Sequence, residues 1–295
     1  MASKNKAVLK AVLYADIFEF PLTREELYYF AVGARLNSQS EAVKAVGELK
    51  DIVSTTGEYV HIKGNEKFVE IRQRRKKSSQ KKLLLAKTLT VYLSFIPSVL
   101  FVGVTGGVAA ENAEKDDDID FIIITSNGAL WPTRLVLLLI LHVLGRRRVK
   151  DASFVADLAC LNFFIDESAI EFPETMQNLY TAHEFVQMKP LFSRGDMYGK
   201  FISKNTWISS FLPQSGVLLS RYEYVSKPFA SSVFQRFLST NAVVQLSRFL
   251  QLLYMGRRKR ESYISEYMLG FFPQDFHSRV MALFEEKLRK YERIK

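Results

Sequence analysis

Two short segments that are apolar on both faces constrain the fold of this chain more than any other feature. Residues Val99–Val104 and Ile119–Thr125 consist mostly of β-branched, leucine and phenylalanine side chains. Strands of this kind lie in the middle of a sheet, because both of their faces need to be covered. Residues 130–144 have the pattern of a helical crossover, and residues 158–165 form the next apolar run. This order of strand, helix and strand predicts an α/β unit.

The composition is that of a folded, basic protein. The chain has 295 residues, of which 48% are hydrophobic, and a formal net charge of +10. It can therefore bury a core and is not intrinsically disordered. The positive charge favours polyanionic partners such as nucleotides, nucleic acids or an anionic membrane surface. The single cysteine excludes an internal disulfide framework and a cysteine-rich zinc site, and we expect a cytoplasmic location.

Neither export nor membrane insertion is predicted. The N-terminal residues lack the uninterrupted apolar stretch of a secretory signal. The most apolar run, residues 135–144, is about half of the roughly 20 residues that a membrane span requires. Arg134 and Arg146 flank that run. We therefore expect a buried helix there and no membrane span.

Residues 1–75 have the pattern of a winged-helix domain. Thr23 and Glu26 have the spacing of a capping box, which predicts the start of a second helix. A third helix follows, and residues 59–63 and 67–71 then predict a short hairpin around a glycine. Because the charges on the third helix nearly cancel, two interpretations stay open. The domain either binds DNA or serves packing and protein contacts.

A glycine turn and a pair of carboxylates accompany the two central strands. Thr105-Gly106-Gly107 follows the first strand, and glycines at such a turn let the backbone approach a phosphate closely. Side chains alternate along a strand, so Asp118 and Asp120 project from one face of the second strand. Adjacent like charges are unfavourable unless a cation neutralises them, and Mg²⁺ prefers oxygen ligands. The alternative is a charged turn that caps the strand.

These motifs resemble the DNA polymerase beta-like nucleotidyltransferase superfamily. A Gly-Gly pair at 106–107, ten intervening residues and Asp-Ile-Asp at 118–120 match its pattern in order and spacing, and the resemblance covers roughly residues 95–170. It implies that a nucleoside monophosphate is transferred from a nucleoside triphosphate to a hydroxyl acceptor, with two bound Mg²⁺ ions. The resemblance assigns the triphosphate to Thr105, Gly106 and Gly107, and metal binding and catalysis to Asp118 and Asp120.

A third acid, which many members of that superfamily carry on a later strand, is not evident. The expected position is held by Asn162, which can orient a hydroxyl or ligate a metal but cannot act as a general base at neutral pH. Asp166 lies further along the same strand, and Glu184 lies on a later predicted helix. These three are our auxiliary candidates. The alternative function is a catalytically impaired protein of this fold that acts as a nucleic-acid-binding or regulatory module.

Three basic clusters are candidate contacts for RNA or DNA: residues 72–82, 146–150 and 257–260. Each of them is also explained by a solvated surface or by the end of a helix. Cys160, within the third apolar run, is expected to be a small buried side chain and not a nucleophile.

The sequence thus predicts a winged-helix-like domain in residues 1–75, a nucleotidyltransferase core in residues 76–190 and a helical C-terminal subdomain in residues 191–295. The core is expected to be an α/β (α+β) fold around a mixed sheet. The acceptor of the transfer and the preferred nucleotide stay open.

Overall fold

A computed structural model describes residues 2–149, 154–228, 232–256, 263–271 and 276–292. The predicted basic cluster at residues 257–260 and Lys150 of the second cluster lie outside the described residues.

The N-terminal part of the chain combines three helices with a small antiparallel sheet. Its capping box is confirmed, since the Glu26 amide donates to Thr23 Oγ1 at 3.2 Å and the Thr23 amide donates to Glu26 Oε2 at 2.8 Å. The strand order is β1-β3-β2. The elements are α1 (Ser3–Asp16), β1 (Leu22–Thr23), α2 (Arg24–Tyr29), α3 (Gln39–Glu48), β2 (Val53–Thr56) and β3 (Tyr59–Ile62).

The predicted hairpin was half wrong. Its two strands are β2 and β3, which turn at Gly57 with φ +61°. Residues 67–71 instead belong to the start of α4 (Phe68–Leu93). A long-range contact explains the difference, because the guanidinium of buried Arg72 lies over the Phe20 ring and donates to Glu26 at 2.7 Å. Local sequence does not reveal this contact.

A seven-stranded mixed sheet forms the centre of the molecule, which confirms a mixed α/β fold. Its order is β8-β7-β4-β5-β6-β10-β9. The pairs β5–β6 and β7–β8 are parallel, and the other neighbours are antiparallel. The strands are β4 (Val99–Val104), β5 (Ile119–Thr125), β6 (Ala159–Asp166), β7 (Lys189–Arg194), β8 (Val225–Lys227), β9 (Tyr263–Ile264) and β10 (Met268–Gly270).

We had expected the residues after 190 to be helical, but they also form strands. They supply most of β7 and all of β8, β9 and β10, so they complete both edges of the sheet. The remaining helices are α5 (Gly106–Ala109), α6 (Leu130–Val143), α7 (Leu179–Gln187), α8 (Met197–Lys204), α9 (Ile208–Phe211), α10 (Ser215–Leu219), α11 (Val233–Leu238), α12 (Asn241–Met255) and α13 (Phe276–Glu292).

Each face of the sheet buries a separate hydrophobic cluster. One face packs against α4 and α6, where Leu89 and Leu137 are buried next to Phe121 of β5. The other face carries Ile122 and Ile124 and packs with the N-terminal helices and the helices after β6. Within the described parts of the chain, no helix is long and apolar enough to cross a membrane.

Candidate active site

The two predicted aspartates converge at the start of β5. Asp118 directly precedes the strand and Asp120 is its second residue, so both side chains leave on one face. One oxygen of each carboxylate and Sγ of Cys160 all lie within 4.8 Å of one another. The backbone also ties this strand to the glycine turn, since the Thr105 amide donates to the Asp120 carbonyl at 2.9 Å.

A buried lysine fixes the loop that leads into β5. Lys82 of α4 donates to the carbonyls of Lys115 and Asp117 at 2.9 and 2.7 Å, and to Asp157 Oδ1 at 2.8 Å. Asp157 precedes β6, so one ammonium group joins the approaches to both parallel strands. Because Lys82 is 2% exposed, this part of the basic stretch serves the fold.

The glycine turn approaches the acids at Gly106. This residue has φ +65°, and a Cβ there would lie 3.1 Å from Asp120 Oδ2. Both observations require glycine, because a side chain would be strained and would crowd the carboxylate. Gly107 has an ordinary φ, and a Cβ on it would meet Ala113 at 3.4 Å. The expected helix after the turn is only the four-residue α5.

Helix α7 brings Glu184 to the glycine turn. Glu184 Oε2 accepts a hydrogen bond from the Gly106 amide at 3.3 Å, and a side-chain hydrogen bond joins the same carboxylate to Tyr180. The neighbouring His183 is 4% exposed and stacks on Tyr14 of α1 at 4.0 Å between ring centroids. Neither ring nitrogen of His183 has a hydrogen-bond partner among the described residues. The structure therefore unites α1, α7 and the glycine turn.

Strand β6 contributes two side chains, because Cys160 and Asn162 are two residues apart and so lie on the same face of the strand. Asp120 pairs with Cys160 and Phe121 with Leu161, but Ile122 pairs with Phe163, so Asn162 is the extra residue. Cys160 faces the acids, and Asn162 lines one cavity together with Asp120. Cys160 is half-buried and is not simply the core residue that we expected. Parallel pairing of β5 with β6 could have predicted that Cys160 lies beside Asp120. No sequence pattern predicts the register shift between these strands.

Asp166, the last auxiliary candidate, does not reach this site. It ends β6 beside Thr125, at the opposite end of the strand pair from Asp120. Its carboxylate accepts from the Gly128 amide at 2.7 Å and from the amide and hydroxyl of Ser168 at 3.0 and 2.6 Å. This acid holds two loops in place.

An arginine of the second basic cluster pairs with the acids. The Arg148 guanidinium lies 2.6 Å from Asp118 Oδ2 and 3.5 Å from Cys160 Sγ. It is 39% exposed, whereas Asp118 is 15% exposed. The sequence left open whether this cluster ends a helix or contacts phosphates, and it did not reveal the ion pair because residues 118 and 148 lie far apart in the chain.

Crowded carboxylates dominate the electrostatics of the site. Burial, and next the charge of Asp118, raise the pKa of Asp120 to about 7. Burial raises the pKa of Glu184 to about 6, although its two hydrogen bonds act in the opposite direction. Burial, and next the charge of Asp120, raise the pKa of the Cys160 thiol well above its usual value. The thiol is therefore protonated at neutral pH.

The carboxylate pair suits a hard divalent cation. Two carboxylates that are held close together repel each other, which raises the free energy of the charged form of at least one of them. A cation between them offsets this repulsion. The Cys160 thiol is a soft ligand and does not suit Mg²⁺. Asp118 and Asp120 are thus the residues that would hold Mg²⁺, with Arg148 supplying positive charge beside them.

A cavity of about 410 Å³ opens over Asp120, Arg148 and the glycine turn, and we call it the acid chamber. One end is polar and the other is aromatic. The polar end contains Thr105, Gly106, Gly107, Asp120, Arg148, Asn162 and Glu184, and the aromatic end contains Tyr14, Phe18, Phe20 and Phe30 of the N-terminal part.

The first basic cluster, residues 72–82, is largely engaged within the protein. Arg72 and Lys82 are buried, and Arg75 binds Glu114 and Glu19 at 2.7 and 2.9 Å. These contacts leave less of the cluster for phosphates than its charge suggested. A nucleic-acid role for the basic clusters stays a prediction.

No family model matches the sequence, and no curated protein or solved structure with significant similarity was found.

Proposed function

We propose that this protein is a nucleotidyltransferase that moves a nucleoside monophosphate from a nucleoside triphosphate to a hydroxyl acceptor. The observation that carries the proposal is that Gly106, Asp120 and Glu184 line one cavity of about 410 Å³, with Asp118 held beside Asp120. This volume is within the range of small-molecule sites. The mixed sheet and the order of glycine turn and Asp-Ile-Asp strand support the same assignment.

The polar end of the acid chamber suits a triphosphate. Gly106 keeps the backbone open to close approach, and Arg148 supplies a guanidinium that can bind phosphate oxygens. When bound, Mg²⁺ supplies Lewis acidity and neutralises the charge that develops on the leaving pyrophosphate. Asp118 and Asp120 would hold it.

The N-terminal part supports a winged-helix assignment, and we propose that it closes the nucleotide site. Its aromatic side chains Tyr14, Phe18, Phe20 and Phe30 line the far end of the acid chamber, where a nucleobase can stack. Helix α3 packs back on α1 through the pairs of Glu41 with Lys4 at 2.7 Å and Glu48 with Asn5 at 2.5 Å. These contacts favour packing over DNA recognition.

Glu184 is our candidate for the base. Its carboxylate lies at the glycine turn and lines the acid chamber. The transfer forms a bond between the acceptor oxygen and the α-phosphorus, breaks the bond from that phosphorus to the β-phosphate oxygen and releases pyrophosphate. The acceptor's proton passes to the Glu184 carboxylate. Asn162 can orient the acceptor hydroxyl.

Calorimetry with each nucleoside triphosphate, with and without Mg²⁺, tests the proposal. We expect Mg²⁺-dependent binding by the wild type, and loss of that binding in the Asp118→Asn/Asp120→Asn double variant, because the metal ligands are gone. Asp116→Asn is the matched control, since Asp116 is an exposed acid just before the site. Binding that survives unchanged in the double variant would sink the assignment.

A second candidate is a protein of this fold that binds a nucleotide without turning it over. Asn162 stands where the resemblance expects a third acid, the residue paired with Asp120 on β6 is the thiol Cys160, and Arg148 already neutralises Asp118. Pyrophosphate release in the presence of Mg²⁺ separates the two candidates. Tight binding with no release under any acceptor condition would favour the second.

A further inference from the structure

A second cavity of about 410 Å³ adjoins the acid chamber. The two cavities share Thr105, Asn162, Tyr180, Glu184 and Phe276 as common walls. The second cavity therefore begins where the glycine turn, β6 and the candidate base Glu184 meet. We call it the apolar chamber.

The walls of the apolar chamber are mainly aliphatic and aromatic. They include Phe163, Phe172 and Phe185 together with Met176 and Met188. The chain contains 41 lysines and arginines, but none of the described residues around this chamber is one of them. A phosphate-bearing RNA or DNA end would find no counter-charge among the described residues that line this chamber. The volume matches a small organic molecule.

The acid chamber has its own place for a nucleobase. Polar groups suited to a triphosphate and aromatic side chains suited to a nucleobase line one cavity, which can take a whole nucleotide. The apolar chamber does not include Gly106, Gly107, Asp120 or Arg148, the groups suited to a triphosphate. A nucleotide held in the acid chamber would leave the apolar chamber to a different reactant.

We propose that the apolar chamber binds the acceptor, and that the acceptor is a small, uncharged aromatic or aliphatic molecule with a hydroxyl group. The apolar body would pack against the phenylalanines, which favours burial. Its hydroxyl would face the polar side chains of the shared wall, Thr105, Asn162, Tyr180 and Glu184. This inference rests on the proposed function, because it assigns the second reactant of that transfer.

The test uses 2-naphthol as the acceptor probe. Met176 lines only the apolar chamber, so Met176→Trp would fill that chamber and Met176→Leu would preserve its volume. Thr175→Trp, at an exposed position on the same wall, serves if Met176→Trp does not fold. Calorimetry measures 2-naphthol binding to protein saturated with Mg²⁺ and a non-hydrolysable triphosphate, and measures nucleotide binding separately.

We expect the wild type and Met176→Leu to bind 2-naphthol, and the tryptophan variant to bind it about tenfold more weakly, or about 1.4 kcal/mol. Nucleotide affinity should stay unchanged in all three. Loss of nucleotide affinity in the tryptophan variant would overturn the proposal by showing that the chamber holds the base. Absent 2-naphthol binding, or binding that ignores the tryptophan, would also overturn it.

Two outcomes distinguish failure of the proposed function from failure of the acceptor inference alone. If the wild type binds no nucleotide but 2-naphthol binding still responds to the tryptophan, the nucleotidyltransferase proposal has failed and the acceptor role is overturned with it. If nucleotide binding holds and only 2-naphthol fails, the acceptor inference alone is overturned.

Discussion

Two aspartates on the neighbouring strands β5 and β6 lie in opposite electrostatic environments. Asp166 is 1% exposed and accepts three hydrogen bonds, from the Gly128 amide and from the amide and hydroxyl of Ser168. Asp120 lies beside Asp118 and near Glu184, and a thiol hydrogen bond from Cys160 offsets only part of the cost. A buried carboxylate with donors is structural, and one crowded by other acids gains from a ligand.

The same contrast extends to a histidine. His183 is buried at the wall of the acid chamber, and both of its ring nitrogens are without a partner among the described residues. His61, in β3, is equally buried, but its nitrogens contact Thr56 Oγ1 and the Ile62 carbonyl at 2.9 Å each. Of these two buried histidines, the one without partners among the described residues is the one that lines the acid chamber.

The largest expected effect on stability is at Asp166. Asp166→Ala should lower the free energy of unfolding by about 3 kcal/mol, because three donors to a charged acceptor lose their partner. Asp120→Asn should instead raise it in the absence of metal at pH 8, since the change removes a carboxylate crowded by Asp118. Urea titrations of both variants measure this. Equal losses would erase the distinction between the two acids.

The next effect concerns the pH dependence of stability. Burial lowers the pKa of His183 to about 3, whereas a histidine in the unfolded chain has a pKa near 6.5. Between these values the unfolded chain takes up a proton that the folded protein does not, so stability falls as the pH falls. Between pH 7 and pH 5, this proton uptake lowers the free energy of unfolding by about 2 kcal/mol.

His183→Phe isolates that contribution, because phenylalanine can keep the stacking on Tyr14 and does not titrate. The loss of unfolding free energy between pH 7 and pH 5 should be about 2 kcal/mol smaller in the variant than in the wild type. Urea titrations at the two pH values measure the difference. An identical loss in both proteins would show that His183 is protonated in the fold or partnered.

Local patterns predicted the elements around the site well. The apolar runs became β4, β5 and β6, the Thr23 capping box formed, and the alternation of side chains along β5 correctly placed Asp118 and Asp120 on one face. These features depend on residues close in sequence. Side-chain alternation and helix capping depend on local geometry, so they can be predicted without knowledge of the rest of the chain.

Features that depend on distant residues were missed. The Arg148 contact with Asp118, the register shift at Asn162 and the packing of Tyr14 on His183 join segments far apart in the chain. The same holds for Arg72, whose contacts turn residues 67–71 into the start of a helix. Glu184 was a candidate by residue type alone, and only the packing of α7 brings it to Gly106.

The smallest expected effect separates the two glycines of the turn. Gly106→Ala should cost about 1 kcal/mol of unfolding free energy, because φ is +65° and an L-residue is strained there. Its methyl group would also lie 3.1 Å from Asp120 Oδ2, so Mg²⁺-dependent triphosphate binding should weaken. Gly107→Ala should be nearly neutral in stability, since its φ is ordinary. Urea titration and calorimetry of both variants give the answer, and equal behaviour would show that close approach at Gly106 is not what the site requires.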